Sequence, residues 1–322
     1  MVVLSMALLL TNLPYASAAG SDTPDLITQV ESFIGNVLVT NPNYSVAQHI
    51  GDLSLGSKIP SVFEDGTETE TSSYPLLAGE SIIGMFQIDE SNMSMSYSEA
   101  GADVIDELFH TNDKITLVMS ESSLSVLCEN GATDIYGNGA DAFSQISLQE
   151  YTDQRVSLSI PRTSRNTNYG YVSVPAFSQT TKYNCWAACM ASVMKHKSGN
   201  NYTVAKIVTD TRHPIGRGAE AREVAAYLIN YGFSPQACVS KANTIISALQ
   251  SGYPLIGFGF YSTGEGHGIV INGYNSGSSF FSISYMDPDT GSAGSAYVSS
   301  DNPIKIPYDG STLEISACVY LR

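Results

Sequence analysis

The stretch "KYNCWAACMASV", residues 182–193, sets two of the chain's five cysteines four positions apart at the head of an almost wholly apolar segment. Apolar residues on every face predict a helix buried all round, over about residues 185–196. Asn184 stands at its N-cap, which places Cys185 in the first turn. Unpaired backbone N–H groups and the helix dipole favour negative charge there, so this sulfur is the one expected to ionise and react. Cys189 lies a turn deeper among Trp186, Ala188, Val193 and Met194, where burial keeps a thiol protonated and inert. Consecutive helical turns aim the two Cβ atoms wrongly for a bridge between them. Zinc is not expected either, because no C-x-x-C pair or closely spaced histidine accompanies them.

A nucleophilic cysteine needs a base that a third group holds in place. Of the histidines after Cys185, His196 lies three turns along the same helix and His213 sits before a proline in "TRHPIGRG". His267 opens "HGIVINGY", a strand joined by the turn signal "NSGS" to "SFFSISYM", which runs into "DPDTG". His267 and Asp287 are each ten residues from Gly277, so a symmetric antiparallel hairpin sets them side by side. A carboxylate in that place fixes the imidazole tautomer and stabilises the imidazolium. Asp289 takes the role if a bulge shifts the register. The "DPDTG" segment does not complete the spacing of a calcium loop, and no metal is expected. Gln179, six positions before Cys185, offers a side-chain amide to the oxygen that turns negative when a thiolate attacks a carbonyl; the backbone N–H of Cys185 is the second donor. Taken singly, each residue has an ordinary structural explanation as core cysteine, strand-end histidine or surface turn. The combination is what points to nucleophilic catalysis.

Over residues 171–322 these features resemble the papain-like cysteine peptidases, most of all the secreted bacterial type that includes the staphopains and the peptidases that process double-glycine bacteriocin leaders. The resemblance rests on "VPAFSQTTKYNCWAAC", on "LQSGYPLIGFGFYSTGEGHGIVINGY" and on "YMDPDTG". It implies Cys185 as nucleophile, His267 as general acid–base, Asp287 in the orienting position and Gln179 in the oxyanion hole. Many papain-like enzymes carry Asn at the orienting position; Asp is the bacteriocin-leader variant. The resemblance further implies a helical subdomain packed on an antiparallel β-subdomain, a cleft between them, and no cofactor.

Further along the chain, short helices are expected near 203–210, in "GAEAREVAAYLINYG" and in "NTIISALQSG", the last opened by Asn243. A run of strands follows, which argues for an α+β fold with an antiparallel sheet. Before the peptidase-like half, "PDLITQVESFIGNVL" has helical spacing, "GADVIDELF" reads as a second helix, and strands are expected at 81–89, 114–120, 124–128 and 155–160. This gives a smaller α+β domain. The polar segment 161–170 is the expected connection, with Arg162 and Arg165 exposed to proteases.

Net charge is −16, and it is uneven: residues 1–165 hold 22 acidic against 5 basic side chains, residues 166–322 hold 9 against 10. Neither half has the basic patch that nucleic acid requires. The opening "MVVLSMALLLTNLPYASAAG" reads as an export signal that ends in a small-residue cleavage pattern, although no Lys or Arg precedes its apolar run. The expected organisation is a signal peptide at 1–19, an acidic α+β propeptide domain at 20–165 and a peptidase domain at 166–322. The chain is expected to be secreted or at the cell surface, free of the membrane once the signal is cut, and monomeric. Its substrate would be protein or peptide, and its own propeptide would serve as intramolecular inhibitor. Acyl transfer of the transglutaminase or deamidase kind uses the same residues and remains the alternative, with a non-catalytic surface-binding protein as the third.

Overall fold

The computed structural model describes residues 26–322, apart from 113, 121–122, 140–142, 144, 152–153, 161–167, 279 and 299–301. The signal-like segment, Arg162 and Arg165 lie outside the described residues.

A sheet of thirteen strands runs through both halves of the chain. Its order is Pro235–Val239, Ser311–Leu321, Leu255–Tyr261, Gly266–Ser276, Phe281–Asp287 and Ser292–Tyr297, then Ser94–Ser98, Ser81–Asp89, Ser72–Ala78, Leu53–Leu55 and Val156–Ser157. Asn168–Tyr171 adds beside Gly266–Ser276, and Ile304–Tyr308 beside Ser311–Leu321. The expected α+β class with antiparallel pairing describes this sheet. A second sheet of four strands lies in the first half, where Ser61–Phe63 pairs with Ile115–Ser120 in parallel.

The two halves meet strand to strand: Gly294, Ser295 and Ala296 pair with Ser98, Tyr97 and Ser96. The core also crosses the junction, because Tyr297 packs edge-on to Phe33 with ring centroids 4.6 Å apart. Around Phe33 gather Ile34, Leu38, Phe86 and Tyr97, all buried.

The helix Cys185–Ser198 is buried from Cys185 through Met194. Its alanines keep it thin enough to lie against the sheet, where Ile256, Val270 and Val319 meet it. Each such large aliphatic side chain stabilises the fold by about 1.5–3 kcal/mol when fully buried. A separate cluster holds Ile245 and Leu249 of the helix Ala242–Gln250 together with Ile269, Ile271, Ile304 and Ile306.

Several boundaries differ from expectation. The strand over 155–160 shrinks to Val156–Ser157, and the connection expected to end at 170 gives way to the strand Asn168–Tyr171. Lys241, not Asn243, caps the helix Ala242–Gln250. Asn184 occupies the N-cap of the cysteine helix, but its amide donates to Thr180 Oγ1 at 2.9 Å instead of capping. All five cysteines are free thiols, with Cys238 directly opposite Cys318 across two strands.

Candidate active site

Cys185 is the first residue of its helix, held there by the turn that begins at Thr181: Asn184 N–H donates to Thr181 O at 3.0 Å. His267 is the second residue of the strand Gly266–Ser276 and faces Gly259 in the neighbouring strand. A side chain at 259 would collide with the backbone, since a Cβ there would stand 2.6 Å from Glu314 O. Glycine at 259 is what lets the strands close up behind the histidine.

The Cys185 thiol lies beside the His267 imidazole, near enough to influence its charge. Both residues are largely buried, at 6% and 5% exposure. Nε2 of the ring faces oxygen: Tyr308 Oη at 3.3 Å, Asp289 Oδ2 at 3.8 Å and Asp287 Oδ1 at 3.9 Å. Nδ1 is then the nitrogen left to the sulfur. Burial alone would strip the His267 proton. The neighbouring Cys185 sulfur, with the Asp287 carboxylate, outweighs it and holds the imidazole above its ordinary pKa.

The hairpin does not turn symmetrically about Gly277. Ser276 pairs with Phe281 and Gly273 with Ser284, the register shifts between Gly273 and Ile271, and then Ile271 pairs with Tyr285 and Val270 with Met286. The assumed pairing of His267 with Asp287 is therefore not the observed register. Both acids nevertheless approach the ring, because the chain turns sharply after Asp287. Asp287 Oδ1 accepts Asp289 N–H at 2.8 Å and its Oδ2 accepts Thr290 Oγ1 at 3.3 Å, so Asp287 braces its own turn. Asp289 accepts the Gln179 side-chain amide, and its other oxygen, which faces Nε2, has no hydrogen bond. Burial, then the neighbouring Asp287, push the Asp289 carboxyl well above the usual range, against the pull of Gln179. Gln179 is also fixed through its backbone, which donates to Pro288 O at 2.6 Å. Its amide has two protons, and one remains after Asp289 is satisfied.

Cys189 is fully buried, donates to Gly268 O at 3.3 Å, and burial drives its thiol far above the ordinary range. His213 bonds Tyr227 Oη at 2.8 Å and packs on Trp186, and His196 lies against the carbonyls of Ser173 and Gly252. Both serve the fold. Among the described residues, His267, Asp287 and Asp289 also bring one donor atom each within 4.8 Å of one another. The thiol on one side of the ring and Gln179 on Asp289 suit this group to proton transfer.

Two residues beside the imidazole, Tyr261 and Tyr308, and one that feels its two acids, Asp309, escape sequence reasoning. Burial raises the Asp309 carboxyl well above its usual range, with Asp289 and Asp287 adding to the effect. The only local signal was the Asp309-Gly310 dipeptide, a hairpin turn sequence.

A sulfur at a helix start beside an imidazole at a strand start is the arrangement of a thiol nucleophile with its base. Residues 169–302 match the family described as papain-like cysteine protease AvrRpt2. This part of the chain is a papain-like cysteine peptidase. The peptidase domain of Streptococcus ComA, titled a bi-functional ABC transporter involved in a quorum-sensing pathway, is similar over 46% of this chain and 96% of its own, at 20% identity and a TM-score of 0.35. No curated protein matches the chain.

Proposed function

We propose that the chain is a secreted cysteine endopeptidase made as a precursor, acting through Cys185, His267 and Asp287. The observation that carries this reading is the placing of the Cys185 thiol, at a helix start, beside the His267 ring, whose other nitrogen faces Tyr308 and two carboxylates. Transfer of the thiol proton to Nδ1 gives thiolate and imidazolium; the thiolate attacks the peptide carbonyl. The oxyanion receives the Cys185 N–H and the second amide proton of Gln179. His267 returns its proton to the leaving amine, and the thioester is then hydrolysed by a water that His267 deprotonates. Asp287 keeps the imidazolium favourable.

In the precursor the first half, residues 20–165, serves as an intramolecular inhibitor, and the cut would fall at Arg162 or Arg165. In support, the first half leans on the catalytic loops: Tyr136 Oη donates to Asp289 O at 2.7 Å. The chain acts as a monomer outside the cell, on protein or peptide.

Incubation with casein tests the activity. Peptide fragments support hydrolysis, whereas crosslinks or released ammonia would replace it with acyl transfer to another acceptor. Full activity after Cys185→Ala would end both. N-terminal sequencing of the form found outside the cell tests export and the cut together.

A further inference from the structure

We propose that Tyr308 is the positioning residue for His267, and that the first half of the chain sets its place by gripping the turn beside it. This rests on Cys185 and His267 being the reacting pair. The Tyr308 hydroxyl stands 3.3 Å from Nε2, while the two carboxylates are at 3.8 and 3.9 Å. The longer separations lie outside hydrogen-bond range, so the phenol oxygen is the atom that takes the Nε2 proton. A proton on Nε2 leaves Nδ1 free for the thiol, the tautomer a general base needs here. The rings of Tyr308 and Tyr261 also flank the imidazole, with centroids 5.3 and 6.0 Å away.

Tyr308 ends the strand Ile304–Tyr308 and enters a two-residue turn, Asp309-Gly310, with φ of 47° and 76°. The first half holds both sides of that turn. Gly310 O accepts Glu70 N at 2.7 Å and Thr71 N at 3.1 Å, and Gly310 N donates to Gln87 Oε1 at 3.0 Å. Ser311 Oγ donates to Glu70 Oε2 at 2.9 Å, and Ser96 Oγ donates to Pro307 O at 2.5 Å. The approach is close: a Cβ on Gly310 would lie 2.7 Å from Thr69 Cγ2. Contacts of the first half thus run through one turn to the base. The titratable groups round that base are Cys185 from the helix, Asp287 and Asp289 from the turn after Phe281–Asp287, Tyr261 from its strand, and Tyr308 with Asp309.

Alkylation of Cys185 by iodoacetamide in the full chain, followed across pH by mass spectrometry with Cys128 as reference, tests this. A hydrogen bond to a charged ring is worth about a tenfold change in equilibrium or more. Tyr308→Phe is therefore expected to slow alkylation at pH 6 roughly tenfold and to move its half-maximal pH upward. Gln87→Ala should produce part of the same shift, and the double variant should be no worse than Tyr308→Phe alone, because both act through one contact. Thermal unfolding of each variant separates a general loss of stability, which leaves the pH profile in place. An unmoved profile in Tyr308→Phe, or effects that add in full, overturns the proposal. Should Tyr308→Phe not fold, an unmoved profile in both Gln87→Ala and Glu70→Ala overturns it equally. If wild-type Cys185 reacts no faster than Cys128, the peptidase reading fails instead.

Discussion

At the scale of single residues, the two cysteines of "NCWAAC" differ through their surroundings. Cys189 is sealed among the helix, the sheet and Gly268 O, and its thiol holds its proton. Cys185 touches an imidazole. Iodoacetamide at neutral pH should label Cys185 at least about a hundredfold faster than Cys189, since only ionised sulfur reacts and burial holds the Cys189 thiol protonated. The two acids differ as well. The Asp287 charge is among the causes that raise His267, whereas Asp289 is held toward its neutral form by burial and by Asp287. Asp287→Asn should therefore lower kcat by roughly tenfold to a hundredfold and move the alkaline limb of the rate profile to lower pH. Asn at 289 resembles a neutral carboxyl, and Asp289→Asn should stay within about threefold. Kinetic pH profiles of the two variants check both. The sequence already named these four side chains and Gln179. It did not show Tyr308, which lies 41 residues beyond His267 and reaches it only when the sheet is assembled.

Among the elements, helix and hairpin were legible because their signals are local. Apolar residues on every face announced the buried helix at 185, and its observed span is Cys185–Ser198. The hairpin was expected too, with a bulge only as the alternative that would favour Asp289; the bulge is what forms, and nothing in "HGIVINGYNSGSSFFSISYMD" marks the shift between Ile271 and Gly273. The short strands Leu53–Leu55, Ser61–Phe63 and Pro235–Val239 were missed because so few residues show no period. Tight strand packing behind His267 makes a test. Gly259→Ala would press a methyl against Glu314 backbone, where neither atom can rotate away. It should cost about 1–3 kcal/mol in urea unfolding and reduce activity with it, as overpacking does.

For the whole molecule, electrostatics and sheet continuity set the behaviour. Asp289 and Asp309 have carboxyls raised by burial, so the folded chain keeps protons that the unfolded chain releases. Their stabilising effect is complete below the ordinary aspartate range and is lost as pH rises through their raised folded values. The unfolding temperature should thus fall from pH 4 toward pH 8. Asp309→Asn, which tolerates the left-handed backbone, should recover roughly 2 °C or more at pH 8. The junction makes a second prediction. Because Ser94–Ser98 pairs with Ser292–Tyr297 and Tyr297 shares a core with Phe33, a chain cut at Arg162 or Arg165 should still elute as one particle at micromolar concentration. Two separate peaks on size exclusion would show that the sheet does not hold the halves. By itself the sequence determined which segments are helix and strand where the apolar period is long, and which thiol begins a helix, because those properties depend on near neighbours along the chain. Only the tertiary structure decided the hairpin register, the oxygen nearest Nε2 and the continuation of one sheet through both halves, because each is set by packing between segments far apart in sequence.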